Sequence, residues 1–343
     1  MSTNGPARKA PSLPQHLAAY VVDRTESGAV SGQWVEIPLD RLPAGDTLIR
    51  VEWSSLNYKD ALAAQGHPGV VRQFPHVPGI DAAGTVIASA AGPPPGTPVL
   101  VTGYEMGSGA WGGWSEYIRV PTPWVIPLPD RLTTRQAMAL GTAGLTAAQC
   151  VQELIRAEIA PQDGPIVVTG ATGGVGNLAL QILSQLGYHV VAVTGKASAH
   201  EWLKQLGAAE VVGRETLHAP ADRPLLSGRW AGAVDTVGGA TLSTLVRSLQ
   251  PHGCVAACGL VGGTELALTV HPFLLRGVKL AGVTSALCKP AVRATLWQTL
   301  AGPWRPAHLD QVTEVLERED LTAAVGEILA GRIQGRRIVR VTR

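Results

Sequence analysis

What the chain lacks narrows its reading quickly. Four cysteines in 343 residues (Cys150, Cys254, Cys258, Cys288) cannot make a disulfide scaffold. Cys254 and Cys258 would share a strand face, but no second Cys or Cys/His pair stands nearby to complete a tetrahedral site. They read as core cysteines, and no metal is expected. The longest uncharged run, 82–104, is broken by Pro93, Pro94, Pro95 and Pro98, which excludes a membrane helix there. Residues 1–16 are polar and proline-rich, without the apolar stretch of a secretory signal, and read as a flexible tail. Net charge is only +2, and the basic residues are dispersed apart from Arg332, Arg336, Arg337, Arg340 and Arg343. Neither nucleic acid nor a membrane is expected as a partner. The expectation is a soluble, cytoplasmic protein that binds a small molecule.

What is present divides by periodicity. From about residue 17 to 120, short apolar runs (18–23, 47–53, 84–88, 98–102, 114–120) alternate with Gly/Pro turns, as in an antiparallel β domain. One helix pattern, 55–64, interrupts them. After Pro129 the pattern changes: 133–159 is helical apart from 141–144. Strands and helices then alternate over 166–169, 177–186, 189–193, 199–206, 210–212, 233–237, 240–249 and 254–258. Such alternation predicts a parallel sheet covered on both faces. Helices over 293–300 and 321–330 and a strand over 337–341 close the chain. No internal repeat is visible. The α/β domain therefore sits inside the β domain, which places a ligand cleft between them.

The most informative segment follows the apolar run Pro165-Ile166-Val167-Val168-Thr169. There Gly170-Ala171-Thr172-Gly173-Gly174-Val175-Gly176 opens a helix. A strand, a glycine turn and a helix N-terminus form a pyrophosphate grip, with Thr172, Gly173, Gly174, Val175 and Gly176 as its loop. The next strand ends in Thr194-Gly195-Lys196-Ala197-Ser198, where an NAD-binding protein carries Asp or Glu for the ribose 2′-hydroxyl. A carboxylate would repel a 2′-phosphate, whereas Lys196 with Thr194 and Ser198 would hold one. The cofactor reads as NADPH.

Together with Ser55-Leu56-Asn57-Tyr58-Lys59-Asp60-Ala61-Leu62 early in the chain, this arrangement resembles the medium-chain dehydrogenase/reductase superfamily. Three further segments are similar to its quinone-oxidoreductase-like branch that contains the acryloyl-CoA reductases: 230–238, Gly253-Cys254-Val255-Ala256-Ala257-Cys258-Gly259-Leu260 and Pro272-Phe273-Leu274-Leu275-Arg276. The resemblance runs from about Leu17 to the C-terminus. It implies a GroES-like β domain (17–130 and 290–343), an inserted doubly wound Rossmann domain (131–289) and a homodimer. It further implies that Tyr58, Leu260, Leu274 and Ser285 meet the nicotinamide end of the cofactor, and that Arg214 meets its phosphate side. Tyr58 could donate to a developing charge or relay a proton. Asn57 could orient substrate or cofactor, while Asp60 could pair with Lys59 or cap the turn. Three departures stand out. Pro78-Gly79-Ile80-Asp81 occupies the place of the His-Glu pair in the zinc enzymes of the superfamily. Ala330-Gly331 replaces an Asn pair, and Thr284 replaces an Asp.

The activity implied is zinc-independent, NADPH-dependent reduction of an enoyl thioester C=C bond, acryloyl-CoA to propanoyl-CoA first. A CoA tail would be gripped by scattered cations such as Arg276 or the C-terminal arginines. The alternatives are a quinone or enone reductase and, from another class, a non-catalytic NADPH sensor. Lys196 generates a direct test. Lys196→Glu should weaken NADPH binding by about 1.5–3 kcal/mol for each charge-assisted hydrogen bond lost. Titration of the unmodified protein with NADH and NADPH checks the premise, and equal affinities would overturn it.

Overall fold

The computed structural model describes residues 13–218 and 222–342. Most of the expected tail, and Arg343, lie outside these residues. Six strands form a wholly parallel sheet: Ile166–Val168, Val190–Val193, Glu210–Val212, Trp230–Asp235, Leu249–Ala257 and Lys279–Gly282. In space the third, second and first lie on one side and the fourth, fifth and sixth on the other. The order reverses beside Ile166–Val168, which leaves a crevice at the carboxyl ends of the strands, the ligand position of open α/β sheets. Val190–Val193 and Trp230–Asp235 are buried at every residue. Helices cover both faces, so no polar alternation is needed.

A seven-stranded sheet follows the path Thr313–Leu316, Arg336–Arg340, Thr47–Leu56, Asp81–Ser89, Pro98–Thr102 and Ile126–Pro127, with Tyr117–Val120 also paired to Thr47–Leu56. A hairpin, His16–Arg24 with Val30–Pro38, makes a separate two-stranded sheet. Arg336–Arg340 pairs antiparallel with Thr47–Leu56, placing Arg337 opposite Leu56. Both chain ends thus build this sheet, and the parallel one is inserted between them. The strands Val30–Pro38, Thr313–Leu316 and Lys279–Gly282 have no counterpart in the apolar pattern. They are short or largely polar, and pairing with neighbours fixes them.

Helix α1 is Tyr58–Ala64, three residues later than its pattern, because Ser55 and Leu56 finish the preceding strand. Asn57 is its N-cap and Asp60 its N3 residue, completing a capping box. Helix α2, Thr134–Arg156, runs through the stretch that breaks its pattern, but kinks at Gly141 (φ 52°, ψ −154°). Helix α3, Gly174–Gln185, begins inside the glycine loop.

One apolar core joins α2, α3 and the parallel sheet, and reaches Ala83 and Leu100 of the other sheet. The helix Pro290–Ala301 buries Leu296, Trp297 and Leu300 in this same core. It packs against α2, within the core that joins the two sheets. A second core fills the β sheet and its hairpin. Among the described residues no helix is long and apolar enough to cross a membrane.

Candidate active site

A cavity of about 900 Å³ opens between the two sheets. Its floor is the loop from Gly170 to Gly176, set by the ends of two neighbouring strands. Thr169 Oγ1 donates to Asp235 Oδ1 at 2.6 Å, and Asp235 Oδ2 accepts from Gly238 N at 2.8 Å. Thr236 Oγ1 donates to Thr169 O at 2.9 Å. The strand ends are thereby clipped together under the loop. A Cβ at Gly176 would lie 2.4 Å from Gly170 O, so only glycine lets helix and loop come this close. The first N–H groups of α3 then face the cavity with no helical acceptor, which suits a pyrophosphate.

At the end of Val190–Val193, Thr194, Gly195, Lys196 and Arg214 line one end of the cavity. A Cβ at Gly195 would sit 2.6 Å from Arg214 Nε, so the guanidinium lies over this turn. Lys196 Nζ donates to Ile333 O at 3.0 Å. Among the described residues none bonds to Arg214, and no carboxylate pairs with Lys196. Burial, and then the Arg214 charge, hold the Lys196 ammonium below its ordinary range. Two neighbouring cations without a counter-charge fit the 2′-phosphate of NADP. Ser198 is exposed on the following turn and does not line the cavity.

Beneath the opposite wall lies a buried polar hub that the residue patterns did not reveal. Asp81 accepts from Ser55 Oγ (2.6 Å), Asn57 Nδ2 (2.8 Å), Thr142 N (2.9 Å) and Thr142 Oγ1 (2.6 Å). The kink at Gly141 frees Thr142 N for this bond. Asn57 Nδ2 also donates to Asp60 Oδ2 at 3.0 Å, and Asn57 Oδ1 accepts from Arg336 Nη1 at 3.1 Å. These bonds tie Asn57 into the wall, where it also lines the cavity. Asp60 is buried and accepts from Ile80 N at 2.7 Å and Asn57 N at 2.8 Å. It does not line this cavity and, among the described residues, pairs with no lysine, so its expected part in the chemistry gives way to capping α1. Arg336, itself buried, donates to Ala139 O at 2.8 Å. Burial pulls its guanidinium down, while Asp81 and Asp60 oppose the shift.

Tyr58 differs from its neighbours. It starts α1, is 41% exposed, lines the cavity, and its hydroxyl bonds to no described residue. Other segments line the same cavity with Thr146, Cys258, Val261, Thr284 and Ser285. Cys258 is half-buried at the cavity edge and is not a core residue. Leu260 is exposed beside Val261, and Leu274 is 77% exposed on the helix His271–Arg276. Neither lines the cavity. Arg276 donates to the carbonyls of Arg247, Leu249 and Leu226, so it caps chain ends and is not free for a ligand. Of the C-terminal arginines, Arg332 pairs with Glu327, Arg337 with Glu314 and Arg340 with Glu317.

A glycine-floored crevice at the switch point of a doubly wound sheet, walled by a β sheet built from both chain ends, defines a nucleotide-dependent oxidoreductase architecture. Residues 43–130 match the alcohol dehydrogenase GroES-like domain, and 174–301 match the zinc-binding dehydrogenase family. The chain is 43% identical over 325 residues to the acrylyl-CoA reductase AcuI of Ruegeria pomeroyi, covering 94% of this chain and 98% of that protein. It therefore belongs to the medium-chain dehydrogenase/reductase superfamily, in its quinone-oxidoreductase-like branch. The yhdH oxidoreductase of Salmonella enterica, solved with NADP, superposes with a TM-score of 0.91 at 43% identity, over 95% of this chain and 100% of that one. Bacillus subtilis yhfP, solved with NAD, gives 0.92 at 42% identity over 95% and 100%. Among the described residues no group of three or more His, Cys, Asp or Glu could hold a metal ion.

The hub carries a pH signature. Burial first, and then the Asp81 charge, push the Asp60 carboxyl up to about 7. A folded-state value above the unfolded one makes its contribution to stability complete in acid, and that contribution is lost as pH rises through neutrality. Relative to Asp60→Asn, the wild-type protein should lose stability between about pH 4 and pH 8. Denaturant unfolding of both proteins across that range checks this, and a difference independent of pH would contradict it.

Proposed function

We propose that the protein reduces the activated C=C bond of an enoyl thioester with NADPH, taking acryloyl-CoA to propanoyl-CoA without zinc. The observation that carries this reading is the free Tyr58 hydroxyl in a cleft whose far end holds the uncompensated Lys196–Arg214 pair. The near full-length similarity to an acrylyl-CoA reductase supports the substrate class.

Thr172 to Gly176 would hold the pyrophosphate, and Lys196 with Arg214 the 2′-phosphate. The bound cofactor supplies a hydride for the β-carbon of the substrate. As the β-carbon is reduced, the C=C electron pair moves onto the thioester as an enolate, whose oxygen needs a hydrogen-bond donor. Of Asn57, Tyr58 and Asp60, Tyr58 is the one whose polar group bonds to no described residue, so it stabilises that oxygen or passes a proton to the α-carbon. Asn57, Asp81 and Arg336 keep α1 in place while this happens. A quinone or enone reductase would use the same cleft, and a non-catalytic sensor would turn over none of these substrates. NADPH-band absorbance assays with acryloyl-CoA, crotonyl-CoA and a quinone, run side by side, separate the three.

Tyr58→Phe should lower kcat by about 10²–10⁴-fold while leaving NADPH affinity nearly unchanged. A kcat within about threefold of wild type, roughly 0.6 kcal/mol in the barrier, would remove Tyr58 from the chemistry.

The reading includes a cytoplasmic homodimer, divided at about residues 130 and 290 into the β domain and the Rossmann insert. In its support, Lys279–Gly282 is an unpaired sheet edge, and Val261, Val270, Leu274, Leu275 and Leu287 nearby are 61–79% exposed. Sedimentation equilibrium should give twice the 35.8 kDa chain mass, and Leu274→Glu with Leu275→Glu should shift it toward monomer.

A further inference from the structure

Arg293, on the helix Pro290–Ala301, is completely buried and, among the described residues, makes no ion pair with a carboxylate. Its Nη1 donates to Thr102 O (2.5 Å) and Thr102 Oγ1 (3.0 Å), and its Nη2 to Ser285 O (2.7 Å) and Ala286 O (3.1 Å). Its guanidinium lies 4.2 Å from the centroid of the Tyr104 ring, and that ring stacks on Trp124 at 5.1 Å. Tyr104 is held at φ 55°, a left-handed conformation uncommon for a non-glycine residue, and its N–H donates to Ala286 O at 3.2 Å. Burying a cation among neutral acceptors is costly, and the five-donor guanidinium fork is the one side chain that spans this many carbonyls. The segments it ties together are the two faces of the cavity: Gly103 and Tyr104 from the β sheet, Thr284 to Ala286 from the end of the parallel one.

We propose that Arg293 is a positioning residue that fixes the separation of these two walls, and through them the reach between the nicotinamide ring and the enoyl carbon. This rests on the reductase reading above. Small displacements matter because hydride transfer needs reacting atoms near contact distance, and about 1 Å of misplacement can cost about 10²-fold.

The test is Arg293→Lys, which keeps the charge but cannot span four acceptors or stack as a plane. Tyr104→Leu, which removes the ring beneath the guanidinium, is the second variant. Each is measured for folding by circular dichroism, NADPH affinity, fluorescence emission of bound NADPH, kcat, and the isotope effect with NADPH deuterated at C4. The expected result for Arg293→Lys is NADPH affinity within about threefold of wild type, kcat lower by about tenfold or more, a larger isotope effect, and altered emission from bound NADPH. Tyr104→Leu should move the same readouts in the same direction, and it decides the matter if Arg293→Lys does not fold. Wild-type kcat and emission in the folded variants, or a kcat loss matched by an equal loss of NADPH affinity, would overturn the proposal. If the wild-type protein reduces no enoyl thioester, the reductase reading falls, while emission and affinity still decide whether Arg293 sets the walls.

Discussion

The docking of the Asp81 carboxylate onto the kink of α2 is the contact from which the rest of the cleft follows. One buried anion takes the backbone N–H and the hydroxyl of Thr142, the hydroxyl of Ser55 and the amide of Asn57. Those donors come from the kinked helix, from the end of a central strand, and from the cap of α1. A carboxylate out of water is tolerated when charge-assisted hydrogen bonds satisfy its lone pairs, and here several donors converge on it.

Arginines that bond to carbonyls recur in the fold, buried at Arg336 and Arg293 and half-buried at Arg276. Arg336 holds Ala139 and Asn57, Arg293 holds Thr102, Ser285 and Ala286, and Arg276 holds Arg247, Leu249 and Leu226. Each stands where one segment ends against another, and orphan carbonyls at such junctions need donors. A guanidinium supplies five in a rigid plane, so one side chain fixes several chain segments at once. The cations Lys196 and Arg214 at the far end of the cleft behave in the opposite way. Arg214 bonds to no described residue, and Lys196 reaches only backbone carbonyls, which leaves positive charge available to an anionic ligand.

Lys196 also bears on the replacement of an Asn pair by Ala330-Gly331. Both small residues line the cavity, and the Lys196 ammonium reaches the carbonyls of Arg332 and Ile333 just beyond them. Gly335 N donates to Thr172 O at 2.9 Å, which joins the same C-terminal loop to the glycine turn. The loop is thus held to the nucleotide side by backbone contacts that need no side-chain amide.

Local chemistry settled much of this in advance. The glycine turn between strand and helix, the cation in place of a carboxylate at the next strand end, and the alternation of the inserted sheet are properties of short segments. Hydrophobic period and backbone freedom express themselves over a few residues. The pairing of Arg336–Arg340 with Thr47–Leu56 could be anticipated only as a closing strand, since register depends on a partner some 280 residues away. Which polar groups stay free was decided by tertiary structure alone. Asn57, Tyr58 and Asp60 are adjacent and equally suggestive in sequence. Asn57 and Asp60 are spent on Asp81, Arg336 and Ile80, partners brought from two other parts of the chain, while Tyr58 points into the cleft. A hydrogen-bond donor has a fixed capacity, and only the folded neighbourhood determines where that capacity goes.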